Sequence, residues 1–219
     1  MVLNQGTAHF NMLEQQVRPT DVSDSRLLDA LRQVKRVDFI GADLAGLAYA
    51  DTALPIGYGQ MMLPPILQSK MLQALAIKDN ESVFEIGTGT GYFTALLATL
   101  AMRVETVEIV PELSAIAEKN MQGYGFVNVK FHVGDGAIQW PFDDRVDAIV
   151  STAAFVTIPE HYLHQLQVGG RMLAIVGEGN SMEVQLVSRL AEKEWQTVVM
   201  LETVIPAVIN AEPKPEFEF

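Results

Sequence analysis

The chain has 219 residues, no cysteine, and 15 Lys and Arg against 27 Asp and Glu, a formal charge of -12. With 49% hydrophobic and 19% charged residues it can build a packed core, which excludes disorder as its general state. The negative excess argues against a nucleic-acid or membrane-surface binder. The missing cysteine removes disulfides, thiolate nucleophiles and Cys-held zinc or iron–sulfur centres.

Met1-Val2-Leu3-Asn4-Gln5-Gly6 has neither the basic nor the apolar stretch of a signal peptide, so a cytoplasmic protein is expected. Residues 1–75 read as a helical segment with irregular connections. Val22-Ser23-Asp24-Ser25 offers caps for a helix over Arg26–Val34, with Leu27, Leu28, Leu31 and Val34 on one stripe. Gly41–Leu63 carries many breakers and reads as a shaped loop. Pro64-Pro65 opens the next helix. Residues 76–209 change grain and form an α/β core. Strands are expected at Ser82–Ile86, Arg103–Glu108, Asn128–Val133, Val146–Ser151 and Arg171–Val176. Helices fit at Tyr92–Leu100, Pro111–Tyr124 and Pro159–Leu166. That alternation predicts a mostly parallel sheet covered on both faces. Met182–Ala191 and Trp195–Ile205 follow as consecutive strands, giving a seven-stranded α/β sheet that ends in an antiparallel hairpin. Residues 210–219 read as an extended, mobile tail within the same structural domain.

The segment Val83-Phe84-Glu85-Ile86-Gly87-Thr88-Gly89-Thr90-Gly91-Tyr92 runs a buried strand through alternating glycines into a helix. Bare backbone at Gly87, Gly89 and Gly91 lets a ligand lie close, and the helix start offers free N–H groups. Glu108, twenty-one residues after Gly87, ends the next strand, where a carboxylate accepts from both hydroxyls of a ribose. Asp135-Gly136 ends the third strand and can meet an adenine edge. The glycine spacing is G-x-G-x-G, and Tyr92 stands where a dinucleotide fingerprint has its third glycine. No Walker lysine is present. Glu85 would repel phosphate and suits a ligand with an ammonium and a sulfonium. S-adenosylmethionine has both and no phosphate. Taken singly, the glycines could form a tight turn, Asp135-Gly136 a hairpin, and Met61-Met62 core packing. His161 and His164 read as surface residues, and no metal site is expected.

Here the chain resembles the protein-L-isoaspartate O-methyltransferase family, Rossmann-like class I S-adenosylmethionine-dependent methyltransferases with added N-terminal helices. Leu47-Ala48-Tyr49-Ala50-Asp51 and Leu54-Pro55-Ile56-Gly57-Tyr58-Gly59-Gln60 are similar to its signature. Glu85–Tyr92, Glu108-Ile109-Val110-Pro111, Val133-Gly134-Asp135-Gly136 and Thr152-Ala153-Ala154 follow in its order. The resemblance implies methyl transfer to the carboxylate of an isoaspartyl protein or peptide, releasing S-adenosyl-L-homocysteine. A small-molecule acid or apolar acceptor, and a non-catalytic cofactor-binding module, are the alternatives. It further implies that Thr88, Tyr92 and Ile109 line the cofactor and that Gln60, Met61, Met62 and Leu63 roof the methyl group. The family's Thr-Ile-Ser stretch is Met61-Met62-Leu63 here, so its active-site hydroxyl falls on Leu63, which cannot donate to a carboxylate. Thr152 is the candidate replacement hydroxyl.

Overall fold

The computed structural model describes residues 4–137 and 140–211; residues 212–219 of the expected tail lie outside them. The Asn4 side chain caps helix α1 (Gln5–Asn11) by accepting from the N–H groups of Gly6 and Thr7. The helix continues through a π-helical turn over Met12–Val17. Asp24 caps α2 (Ser25–Gln33) in the same way through Arg26 and Leu27, satisfying donors the helix itself cannot. The buried stripe of α2 packs toward α3 (Pro65–Leu75) and α4 (Tyr92–Leu100).

The stretch expected to be a loop is more ordered than its breakers imply. A 3-10 helix spans Ala42–Leu47, and β1 (Leu54–Gly57) pairs antiparallel with β2 (Gln60–Met62). The breakers form the turn at Gly57-Tyr58-Gly59, with Tyr58 itself in the left-handed region. Strands this short, one carrying a proline, give almost no periodic signal.

The main sheet holds β3 (Ser82–Ile86), β4 (Arg103–Glu108), β5 (Val129–Val133), β6 (Val146–Phe155), β7 (Leu166–Glu178), β8 (Ser181–Ala191) and β9 (Glu194–Thr203). Their order is β5-β4-β3-β6-β7-β8-β9. The first five are parallel, and β8 and β9 close the sheet antiparallel. Helix α4 follows β3, α5 (Pro111–Gln122) follows β4, and a short α6 (Glu160–His164) precedes β7. Two strands run longer than expected. Past Ser151, β6 continues to Phe155 through a register shift between Val150 and Ala154, a stretch whose alanines carry little strand propensity. β7 begins at Leu166 and absorbs Gly169-Gly170 in a second shift, which is why α6 ends at His164.

Alternation along β3 divides the core in two. Val83 belongs to the cluster that also contains α2, α3 and α4, whereas Phe84 and Ile86 belong to the opposite cluster with Tyr162 and Phe155. Arg171 of β7 joins the N-terminal segment to the sheet. Its guanidinium binds both carboxylate oxygens of Glu81 (2.8 and 2.7 Å) and the carbonyls of Leu75 and Ala76. Both partners of the pair are nearly buried. Removing one leaves the other charge unpaired, so Arg171→Met is expected to destabilise by about 3–5 kcal/mol. Urea titration reads this as a lowered midpoint. Arg145→Met, at an exposed pair with Glu192, should leave the midpoint in place.

Candidate active site

The carboxyl ends of β3, β4 and β6 meet at one edge, where the strand order reverses about β3. Open α/β sheets place ligands at such a crevice. A cleft opens there, walled by the β1–β2 hairpin on one side and residues 206–209 on the other.

Glu108 is one of its lining residues. One carboxylate oxygen accepts from the Gly89 N–H (2.8 Å) and the other from the Val110 N–H (3.1 Å). The backbone thus fixes the side chain and leaves lone pairs on both oxygens for a diol. Asp135 is held in the same manner, with Oδ1 accepting from the Ala137 N–H and Oδ2 from the Asn210 amide, both at 2.8 Å. The buried Tyr162 hydroxyl donates to the Gly136 carbonyl (2.7 Å) and fixes the neighbouring backbone. Gly87, at φ 92°, allows Thr152 to approach. A Cβ there would lie 2.5 Å from the Thr152 hydroxyl oxygen.

The structure gathers most of the expected site residues. Gln60, Met61, Leu63, Gly87, Gly89, Glu108, Ile109, Asp135, Gly136 and Thr152 line the cleft. Met62, Thr88 and Tyr92 line a smaller chamber behind it. Gly91 has a different duty: an added Cβ would meet Ala117 of α5 at 3.0 Å, so this glycine permits helix packing.

Two expectations need correction. Glu85 faces away from the cleft, because it alternates with Ile86 along β3 and lies beneath α4. It is fully buried and accepts from the hydroxyls of Thr94 and Thr106. Burial raises its pKa to about 8, against the lowering effect of those hydrogen bonds. It is a neutral interior group at pH 7 and not a counter-charge for a ligand. Thr152 does line the cleft, but its hydroxyl donates to the Gly87 carbonyl (2.6 Å), so its proton is already engaged.

Sequence reasoning missed the far wall. After β9 the chain returns to β6, where Ala154 donates to the Pro206 carbonyl and Val208 donates to the Ala154 carbonyl. That bridge places Pro206–Ile209 over the cleft, and Asn210 reaches Asp135. The only local signal was Pro206, which ends a strand without saying where the chain goes next. Ile56 of the hairpin was likewise not singled out.

Among the described residues the charged groups lining the cleft are Glu108 and Asp135, and no cationic side chain joins them. Such a lining disfavours a phosphate and suits a positively charged adenosyl compound. Fold and cleft together define a class I S-adenosylmethionine-dependent methyltransferase. The chain belongs to the protein-L-isoaspartate(D-aspartate) O-methyltransferase family, whose profile matches residues 8–211. A protein-L-isoaspartate O-methyltransferase from Magnetococcus marinus is 40% identical over 82% of this chain and 78% of its own length. One from Myxococcus xanthus is 43% identical over 77% and 80%. The fold is also that of a Plasmodium falciparum protein described as a member of the same family and crystallised with S-adenosyl-L-homocysteine. The two superpose with a TM-score of 0.79 over 91% of this chain and 97% of that one, at 18% identity.

Glu85 gives the apoprotein a pH signature. A carboxyl whose folded-state pKa is raised contributes stability that is fully present below its ordinary value of 4.5 and is lost as pH climbs toward about 8. Glu85→Gln should therefore flatten the decline of the urea midpoint across that window. An unchanged slope in the variant would assign the decline to another group.

Proposed function

We propose that the protein transfers a methyl group from S-adenosylmethionine to the carboxylate of an L-isoaspartyl residue in a protein or peptide. The observation that carries this reading is the cleft lining, two fixed carboxylates and, among the described residues, no cationic side chain, in a chain that belongs to this family across residues 8–211. When bound, the donor supplies a methyl group already activated on a sulfonium. The residues present fit it: Glu108 would hold the ribose hydroxyls and Asp135 with Gly136 the adenine edge. The glycine loop would lie along the rest.

What the protein adds is alignment and exclusion of water. A carboxylate is ionised at neutral pH and attacks through its own lone pair, so no side chain has to remove a proton from it. Ile56, Met61 and Leu63 line one side of the cleft with apolar groups. In that surrounding the acceptor's negative charge is only weakly screened and is drawn to the donor's positive one. With Leu63 in place of a hydroxyl and the Thr152 proton engaged by Gly87, the acceptor is held by fewer hydrogen bonds than the family's Thr-Ile-Ser stretch would provide.

Labelled donor with an isoaspartyl peptide should give a base-labile methyl ester, and the matched aspartyl peptide none. Labelling of a small carboxylic acid in place of both peptides would overturn the assignment of the acceptor. The double substitution Met61→Thr with Leu63→Ser should lower KM for the isoaspartyl peptide roughly tenfold or more, since a hydrogen bond to a charged group contributes about 1.5–3 kcal/mol. Glu108→Gln should weaken S-adenosyl-L-homocysteine binding by at least about tenfold, read by calorimetry.

A further inference from the structure

The charged residues that line the cleft, Glu108 and Asp135, oppose the entry of a carboxylate acceptor, in a chain that already carries a formal charge of -12. One buried group acts in the other direction. Arg36, in the 3-10 helix over Arg36–Phe39, is fully buried. Its guanidinium donates to the Leu63 carbonyl (2.7 Å) and to Gln68 Oε1 of α3, and it lies over the Tyr92 ring. Leu63 lines the cleft, so this charge sits one residue behind that wall.

Arg36 differs from other buried arginines in what it lacks. Arg171 pairs with Glu81, and Arg189, equally buried, pairs with Glu192 at 3.0 Å. Among the described residues no carboxylate forms an ion pair with Arg36, and the two groups that accept from it are neutral. Its Nε has no hydrogen-bond partner. The acid that acts on it most, Asp51, is exposed and accepts from the Ile66 N–H (3.1 Å). Burial lowers the Arg36 pKa to about 10, against the raising effect of Tyr92 and Asp51, so the group stays charged at neutral pH. A buried cation without a counter-ion is costly, and two neutral dipoles leave its charge uncancelled. Away from water that charge is weakly screened and reaches past its immediate neighbours.

We propose that Arg36 is the positioning residue for the methyl acceptor: its uncancelled charge behind Leu63 draws a carboxylate into the cleft, and its hydrogen bond holds the Leu63 wall in place. The proposal rests on the functional reading above and deepens it, by naming what selects an anion in a cleft lined with acids. Arg36 touches neither reactant and acts through Leu63 and through its field. That field has opposite signs for the two reactants. It attracts the acceptor's carboxylate and opposes the donor's sulfonium, whereas the uncharged thioether of S-adenosyl-L-homocysteine is indifferent to it.

Gln68→Glu tests this directly, because it puts a carboxylate on the atoms that already accept from Arg36 and cancels the charge with little change of shape. KM for the isoaspartyl peptide should rise roughly tenfold, with kcat changed less. Calorimetry should show the affinity for S-adenosylmethionine rising relative to that for S-adenosyl-L-homocysteine by at least about threefold. Arg36→Met, which deletes the charge, should move both readouts in the same direction. Arg36→Lys, which keeps it, should hold KM within about threefold of wild type. Urea midpoints confirm that each variant is folded. An unchanged KM and affinity ratio in Gln68→Glu would overturn the proposal. So would equal weakening of donor and product, which is what a purely structural role for Arg36 predicts. A raised KM in Arg36→Met alone would overturn it too, since shape and not charge would then be at work. Wild-type protein that methylated only some other acid would sink the functional reading, while the donor-to-product ratio would still test Arg36.

Discussion

Parallel pairing of β3 with β4 on one side and β6 on the other is the constraint on which the site depends. It brings three strand ends to one edge, and each end delivers one part of the site: the glycine loop, Glu108 and Thr152. The hydrogen bond from the Gly89 N–H to Glu108 then locks two of those ends together, and the one from Thr152 to the Gly87 carbonyl locks the third. The site is therefore a tripod whose legs are strands, and its precision comes from the sheet more than from any single loop. Arg171 and the shared core of α2, α3 and α4 keep the N-terminal segment seated on that sheet, which is how the β1–β2 hairpin comes to form one wall.

Charge is distributed along the cleft in a way composition alone does not disclose. An overall excess of acid could mean a uniformly negative surface, yet the interior is sorted. Glu85 is neutral beneath α4, Glu108 and Asp135 are held by backbone and amide donors in the cleft lining, and Arg36 is buried against the Leu63 carbonyl. An acidic residue two positions before the glycine loop looks like a ligand group in sequence. Alternation along a strand buried on both faces sends it the other way, toward Thr94 and Thr106.

The elements with strong periodicity were legible. Ser82–Ile86, Arg103–Glu108 and Tyr92–Leu100 stand where apolar runs and glycines place them, because a doubly buried strand followed by a helix leaves little freedom. The gathering of Gly87, Glu108 and Asp135 at one cleft was legible for the same reason, since they occupy fixed positions relative to strand ends. Two kinds of feature were not. The hairpin at Leu54–Met62 and the extension of β6 through Thr152-Ala153-Ala154 are set by tertiary pairing and have weak local preference. Contacts between distant segments, such as Asn210 with Asp135 or Arg36 with Leu63, have no one-dimensional pattern at all.

The return of the chain from β9 to β6 bears on how the molecule is made. Residues 206–210 supply the last wall of the cleft, after every strand has already been translated. Without that segment Asp135 has no Asn210 to brace it and the cleft lacks one wall. The strands that carry the site thus precede in the chain the stretch that closes it, and shortening or rerouting that stretch would alter the cleft while leaving every strand pairing of the sheet in place.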